Sequence, residues 1–86
     1  MFYTYILCSV STGRYYVGSC EDPDKRLLRH NNGGVPSTKP YRPWELVYKE
    51  TFATRSEALK REREIKAAKS REYIKRLVEL ADTSRP

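Results

Sequence analysis

The sequence predicts an α+β fold, an α/β sandwich in which a small three-stranded antiparallel sheet is flanked by three helices in the order ββ-α-β-α-α. Three observations predict it. Two aromatic and β-branched segments near the start are separated only by a short turn-forming stretch. A helix with paired end signals and a proline-rich loop lead to a third, alternating segment. From Thr54 onward the character becomes helical.

Phe2 to Cys8 reads as the first strand and Arg14 to Gly18 as the second, with Ser9 to Gly13 as the turn of an antiparallel hairpin. Gly18 interrupts the second strand, which suggests a bulge or a close approach by backbone or ligand. Asp22 can cap the first helix, Pro23 suits its first position, and Asp24 complements its dipole. Gly33 sits where a C-terminal stop belongs. The stretch from Gly33 to Pro43 holds three prolines and two glycines and reads as a loop carrying Lys39 and Arg42. Trp44 to Phe52 reads as the third strand. Thr54 or Ser56 caps a helix to about Lys69, and Ser70 caps a last helix from Arg71 to about Leu80, anchored by Ile74, Leu77 and Val78. One domain, 1–80, is expected, with a frayed tail at 81–86.

Composition narrows the function classes. The chain has 86 residues, 17 Lys+Arg against 11 Asp+Glu, and a net charge of +6. A chain this short buries only about 60–65% of its unfolded surface, so the core is thin. Its apolar runs reach three or four residues against the roughly 20 of a spanning helix, so no membrane association is expected. No signal peptide is visible, and a cytoplasmic location is expected. Aromatic residues at 12% argue against a disordered basic tail. A polyanionic partner follows, with nucleic acid first. Cys8, Cys20 and His30 lack zinc spacing, so both cysteines are expected reduced and unpaired by disulfides.

Three sets of residues could carry chemistry. On the helix after Thr54, Ala58, Leu59 and Ile65 define an apolar stripe with Ala68 at its edge, and Glu62 falls in its middle. A carboxylate there needs a partner, either a nearby Arg or Lys in a buried ion pair, or a metal or reaction centre. Glu57 and Glu64 read as solvated charges. Arg26 and His30, one turn apart, place a guanidinium beside an imidazole, useful for a phosphate and a proton. The plainer reading is a solvated basic face with Lys25 and Arg29. Tyr3, Tyr5, Tyr15 and Tyr16 cluster on the hairpin, Tyr15 and Tyr16 on opposite faces; packing or nucleotide contact would each explain them.

In order and spacing these positions resemble the GIY-YIG nuclease superfamily, over nearly the whole chain. The first motif corresponds to Tyr3-Thr4-Tyr5 and the second to Tyr16-Val17-Gly18, with Arg26, His30 and Glu62 at the family's arginine, His/Tyr and glutamate positions. The likeness is greatest to its small stand-alone bacterial members. It implies a metal-dependent endonuclease hydrolysing phosphodiester bonds in DNA, with structure- or damage-directed cleavage as one form of that activity and one Mg²⁺ or Mn²⁺ on Glu62. Tyr5, Tyr16, Arg26, His30 and Glu62 are then the catalytic set. Arg26 would clamp the phosphate and Tyr16 or His30 would be the general base. Two departures stand out: Tyr3-Thr4 replaces Gly-Ile, and Ser19 stands where some relatives have a phosphate-contacting lysine. The expected nucleic-acid surface is Lys39, Arg42, Lys60, Arg61, Lys66 and Lys69, since Lys60 to Arg76 holds eight Lys/Arg against three Glu. DNA is the expected partner without excluding RNA, and the oligomeric state, monomer or otherwise, stays open. The alternative is a DNA- or RNA-binding module that keeps the fold without catalysis. A third reading, a protein-interaction domain, would use Tyr41, Trp44 and Tyr48.

Overall fold

The computed structural model describes residues 1–83. Its elements are β1 (Phe2–Ser9), β2 (Tyr15–Cys20), α1 (Pro23–Asn31), a 3₁₀ turn (Lys39–Tyr41), β3 (Trp44–Phe52), α2 (Arg55–Ala67) and α3 (Arg71–Thr83). The α+β order ββ-α-β-α-α is the one the sequence predicts.

The sheet runs β2-β1-β3 with both pairings antiparallel, so β2 is an edge strand. Thr4, Tyr5, Ile6 and Leu7 in β1 are all buried. A continuous buried run means that both faces are covered, and the side chains sort accordingly. Tyr5, Leu7 and Trp44 pack with Tyr16, Leu27 and Leu46 on the α1 face. Ile6, Val17 and Ile65 pack with Tyr15, Val47, Ile74 and Val78 on the α2–α3 face. Tyr15 and Tyr16 therefore do lie on opposite faces.

Local chemistry sets the helix ends. Asp22 Oδ1 accepts the Lys25 N–H at 3.2 Å, Pro23 takes the first helical position, and Gly33 turns the chain at φ +80 after Asn32. Thr54 caps α2 in a reciprocal box with Glu57. Glu57 is thus a capping residue rather than the merely solvated charge expected. The Tyr73 N–H donates to Ser70 Oγ at 3.2 Å, at the start of α3.

Four details differ from expectation. β2 runs through Gly18 to Cys20 without a bulge; the sheet's irregularity lies instead between Ile6 and Leu7 where β1 meets β3. α2 ends at Ala67, because Lys69 turns the chain at φ +46, and Ala68 is exposed. α3 continues three residues past Leu80 to Thr83, while residues 84–86 of the expected tail lie outside the described residues. The loop after α1 is tied down. The Trp44 indole N–H donates to the Thr38 carbonyl at 2.9 Å, and the Asn31 side chain pairs with both backbone groups of Trp44. Trp44 is consequently buried, which removes it from the expected exposed patch. Cys8 and Cys20 are free, and no helix among the described residues is long and apolar enough to cross a membrane.

Candidate active site at the free edge of the sheet

The site is organised by an absence of side chain. Tyr5 stands opposite Gly18 across the β1–β2 pair. A Cβ on Gly18 would lie 2.6 Å from the Tyr5 hydroxyl oxygen and 2.7 Å from Cζ, closer than any packed contact. The phenol therefore lies across β2 where only glycine leaves room, so the close approach read from Gly18 comes from a neighbouring side chain.

Beneath Tyr5 lies His30, completely buried. Its Nδ1 is 2.8 Å from Thr38 Oγ1, and Thr38 gives its one hydroxyl proton to the Val35 carbonyl at 3.2 Å. Nδ1 must then be the protonated nitrogen, which leaves Nε2 to accept from the Tyr5 hydroxyl at 3.4 Å. Burial pushes the imidazole pKa down, and the positive charges of Arg26 and Arg29 push it the same way. His30 is a neutral support with both nitrogens engaged. This corrects one expectation: it belongs to no solvated basic face.

Burial likewise raises the Tyr5 pKa well above the usual phenol range; Tyr16, Cys20 and Glu62 add to the rise and Arg26 opposes it. Tyr5 is therefore a proton donor at neutral pH. Tyr16, Arg26 and Glu62 thus all lie within electrostatic reach of one hydroxyl. Tyr16, two residues before Gly18 on the same face, is half-buried with its ring 4.8 Å from that of His30 and 6.4 Å from that of Tyr5. Arg26 lines a pocket of about 330 Å³ with Ser19, Cys20, Lys25, Arg29 and Arg55.

Glu62 reaches the site from α2, on the other side of the sheet. It can do so because no strand continues the sheet beyond β2. Its side chain is 18% exposed; Oε1 accepts the Ser19 hydroxyl at 2.7 Å and Oε2 the Lys66 ammonium at 2.6 Å. The ion-pair reading of Glu62 is the one this contact bears out, with Lys66 as the partner. Ser19 has a partner that the sequence did not reveal. Strand alternation points it away from Tyr16 and toward α2, where it orients Glu62. Among the described residues no three His, Cys, Asp or Glu form a ready-made metal cage. One hard carboxylate at a solvent edge nevertheless fits an ion such as Mg²⁺, which keeps several waters and takes further oxygens from substrate phosphate.

The cations expected to hold nucleic acid divide. Lys39 and Arg42 are exposed together, packed over Gly33. Lys60 is exposed, Lys69 lines a groove beside Tyr16, and Lys66 is held by Glu62. Arg61 is not an open cation: its Nε–H donates to Glu50 at 2.9 Å and its Nη1–H to the Tyr73 hydroxyl at 3.3 Å, which ties α2 to β3 and α3. Lys25 and Arg29 stand around Arg26 and Arg71 lines the groove; Arg55 beside Arg26 and Arg14 in the groove are cations that the sequence reading passed over.

The chain is similar to known proteins over most of its length. The GIY-YIG catalytic domain family matches residues 1–75. A UPF0213 protein of Staphylococcus saprophyticus is 46% identical over 78 residues, 90% of this chain and 94% of its own. One from Staphylococcus epidermidis is 48% identical over 68 residues, covering 78% and 83%. The solution NMR structure of a UPF0213 protein from Bacillus halodurans superposes with a TM-score of 0.58 at 35% identity, over 93% of this chain and 85% of that one.

Proposed function

The chain belongs to the GIY-YIG catalytic domain family, and from that premise we propose that it is a divalent-metal-dependent endonuclease that hydrolyses phosphodiester bonds in DNA. One observation carries the reading: at Gly18 two phenols, a guanidinium and an oriented carboxylate converge on the free edge of the sheet, where a strand of DNA can reach them.

Each side chain has a role that its surroundings suit. Arg26 holds a non-bridging phosphate oxygen, with Lys25, Arg29 and Arg55 adding positive field around it. Tyr5, protonated and anchored on neutral His30, donates a hydrogen bond that orients the attacking water or the phosphate. With His30 sealed off, the half-buried Tyr16 is the better general base for that water. Glu62, steadied by Ser19, would hold the metal. When bound there, Mg²⁺ or Mn²⁺ supplies Lewis-acid neutralisation of charge on the leaving oxygen. Lys66 must yield or share Oε2 for this to happen.

That ion pair favours a second reading, a DNA- or RNA-binding module in which Lys66 permanently occupies the carboxylate. Nicking of plasmid and branched DNA with Mg²⁺ or Mn²⁺ separates the two. An endonuclease loses about a hundredfold or more of its rate in Glu62→Ala and in Arg26→Ala. Cleavage that survives both substitutions sinks the proposal, and salt-dependent binding without cleavage under any divalent ion selects the module.

A further inference from the structure

Besides the pocket around Arg26, a groove of about 590 Å³ lies at the other end of β2. We infer that this groove receives one unpaired nucleotide of the DNA strand, next to the phosphate that is cut. The inference rests on the nuclease reading and deepens it by naming the substrate class.

The groove shares walls with the candidate centre. Tyr16 lines it, and so does Lys66, whose ammonium sits on Glu62. A strand whose phosphate lies at Arg26 and Glu62 can therefore place a neighbouring nucleotide in the groove. The lining is suited to a base and a phosphate together. Val17 and Ile65 provide apolar floor, Tyr15, Tyr16 and Tyr41 provide aromatic surface, and Arg14, Lys69 and Arg71 provide positive charge. No carboxylate is among the lining residues. An anionic ligand with a flat apolar part is what this combination selects, and a nucleotide is such a ligand.

Two of the guanidinium groups are already placed. Arg14 lies over the Tyr41 ring at 4.3 Å, and Arg71 lies over the Tyr15 ring at 5.0 Å. Arg71 also packs against the hairpin turn, where a Cβ on Gly13 would meet its Nη2 at 3.3 Å. These planes present stacking surface and charge with little ordering cost on binding. The pocket at the opposite end of β2 is smaller and is lined by Lys25, Arg26, Arg29 and Arg55, with Glu21 and Asp22 among them and no aromatic residue. Backbone phosphates suit that end and an extruded base does not. A base paired inside a duplex cannot enter the groove without leaving its stack.

The test compares two short DNA duplexes in EDTA, where nothing is cleaved: one with a single unpaired 2-aminopurine nucleotide and one fully paired. Binding is followed by fluorescence anisotropy and by 2-aminopurine emission. The unpaired site is expected to bind about tenfold more tightly, as one stacked base allows, with its emission changed by stacking. Arg14→Ala and Arg71→Ala, both at exposed positions, are expected to cut that preference by a factor of about two to five each. Equal affinity for the two duplexes overturns the inference, and so does a preference that both variants retain in full. Selective binding by a protein that cuts nothing with Mn²⁺ upholds the groove and refutes the nuclease reading alone.

Discussion

At Gly18 the Tyr5 phenol fills the space that a Cβ would need, and the ring cannot withdraw because it is 1% exposed. Gly18→Ala must therefore push the ring off His30 or bend β2. Overpacking of this kind costs about 1–3 kcal/mol, and displacing a reacting group by about an ångström costs about a hundredfold in rate. A melt and a plasmid-nicking assay on the variant are expected to show both losses. His30 gives a pH signature. Its folded pKa lies below the ordinary 6.5, so the unfolded chain takes up the proton first as pH falls. The stability tied to neutral His30 is present above about pH 6.5 and is lost as pH drops toward the lowered folded value. Urea midpoints measured from about pH 7.5 to 5 are expected to fall more steeply for the wild type than for His30→Asn. Parallel profiles would mean that the imidazole is not held neutral.

Element α2 joins stability to chemistry, and it shows what the sequence could disclose. Residue types narrow its start to Thr54 or Ser56, and the box with Glu57 settles on Thr54; Thr54→Ala is expected to cost about 1 kcal/mol in a urea melt. Glu62 was legible for a similar reason, since a carboxylate on an apolar stripe breaks a periodic pattern. The bounds of β3 were legible because turn and loop residues flank an alternating run. Partner choice across elements was not. That Ser19 bonds Glu62, that Arg61 is committed to Glu50 and Tyr73, and that His30 is buried under Tyr5 all depend on how α1 and α2 seat on the sheet. No spacing within one element encodes that seating. Ser19 yields a test at this scale. Ser19→Ala frees the Glu62 carboxylate to rotate and is expected to weaken Mn²⁺ binding, read by paramagnetic line broadening, by about tenfold or more. Ser19→Thr, which keeps the hydroxyl, is expected to bind nearly as well as wild type. Equal affinity in the alanine variant would show that Ser19 does not position the carboxylate.

For the whole molecule, the net charge of +6 takes on a direction. Open cations flank β2 at both ends, Arg14, Lys69 and Arg71 in the groove and Lys25 and Arg29 around Arg26, while Arg55 is paired with Glu21 at 3.6 Å. Six residues of strand at about 3.3 Å each span about 20 Å, the axial reach of about six phosphates on one DNA strand. Neutralising five or six phosphates gives a slope of log affinity against log salt of about −5. Replacing any one of those open cations by alanine is expected to flatten the slope by about one unit. Arg61 supplies the control, because its charge is already spent on Glu50 within the fold. Arg61→Ala is expected to lower the melting temperature, since it unties α2 from β3 and α3, while leaving the slope where it was. A slope near zero in the wild type would remove every nucleic-acid reading. A slope that Arg61→Ala flattens as much as Arg71→Ala does would place the DNA on the outer face of α2 instead of along the free edge of β2.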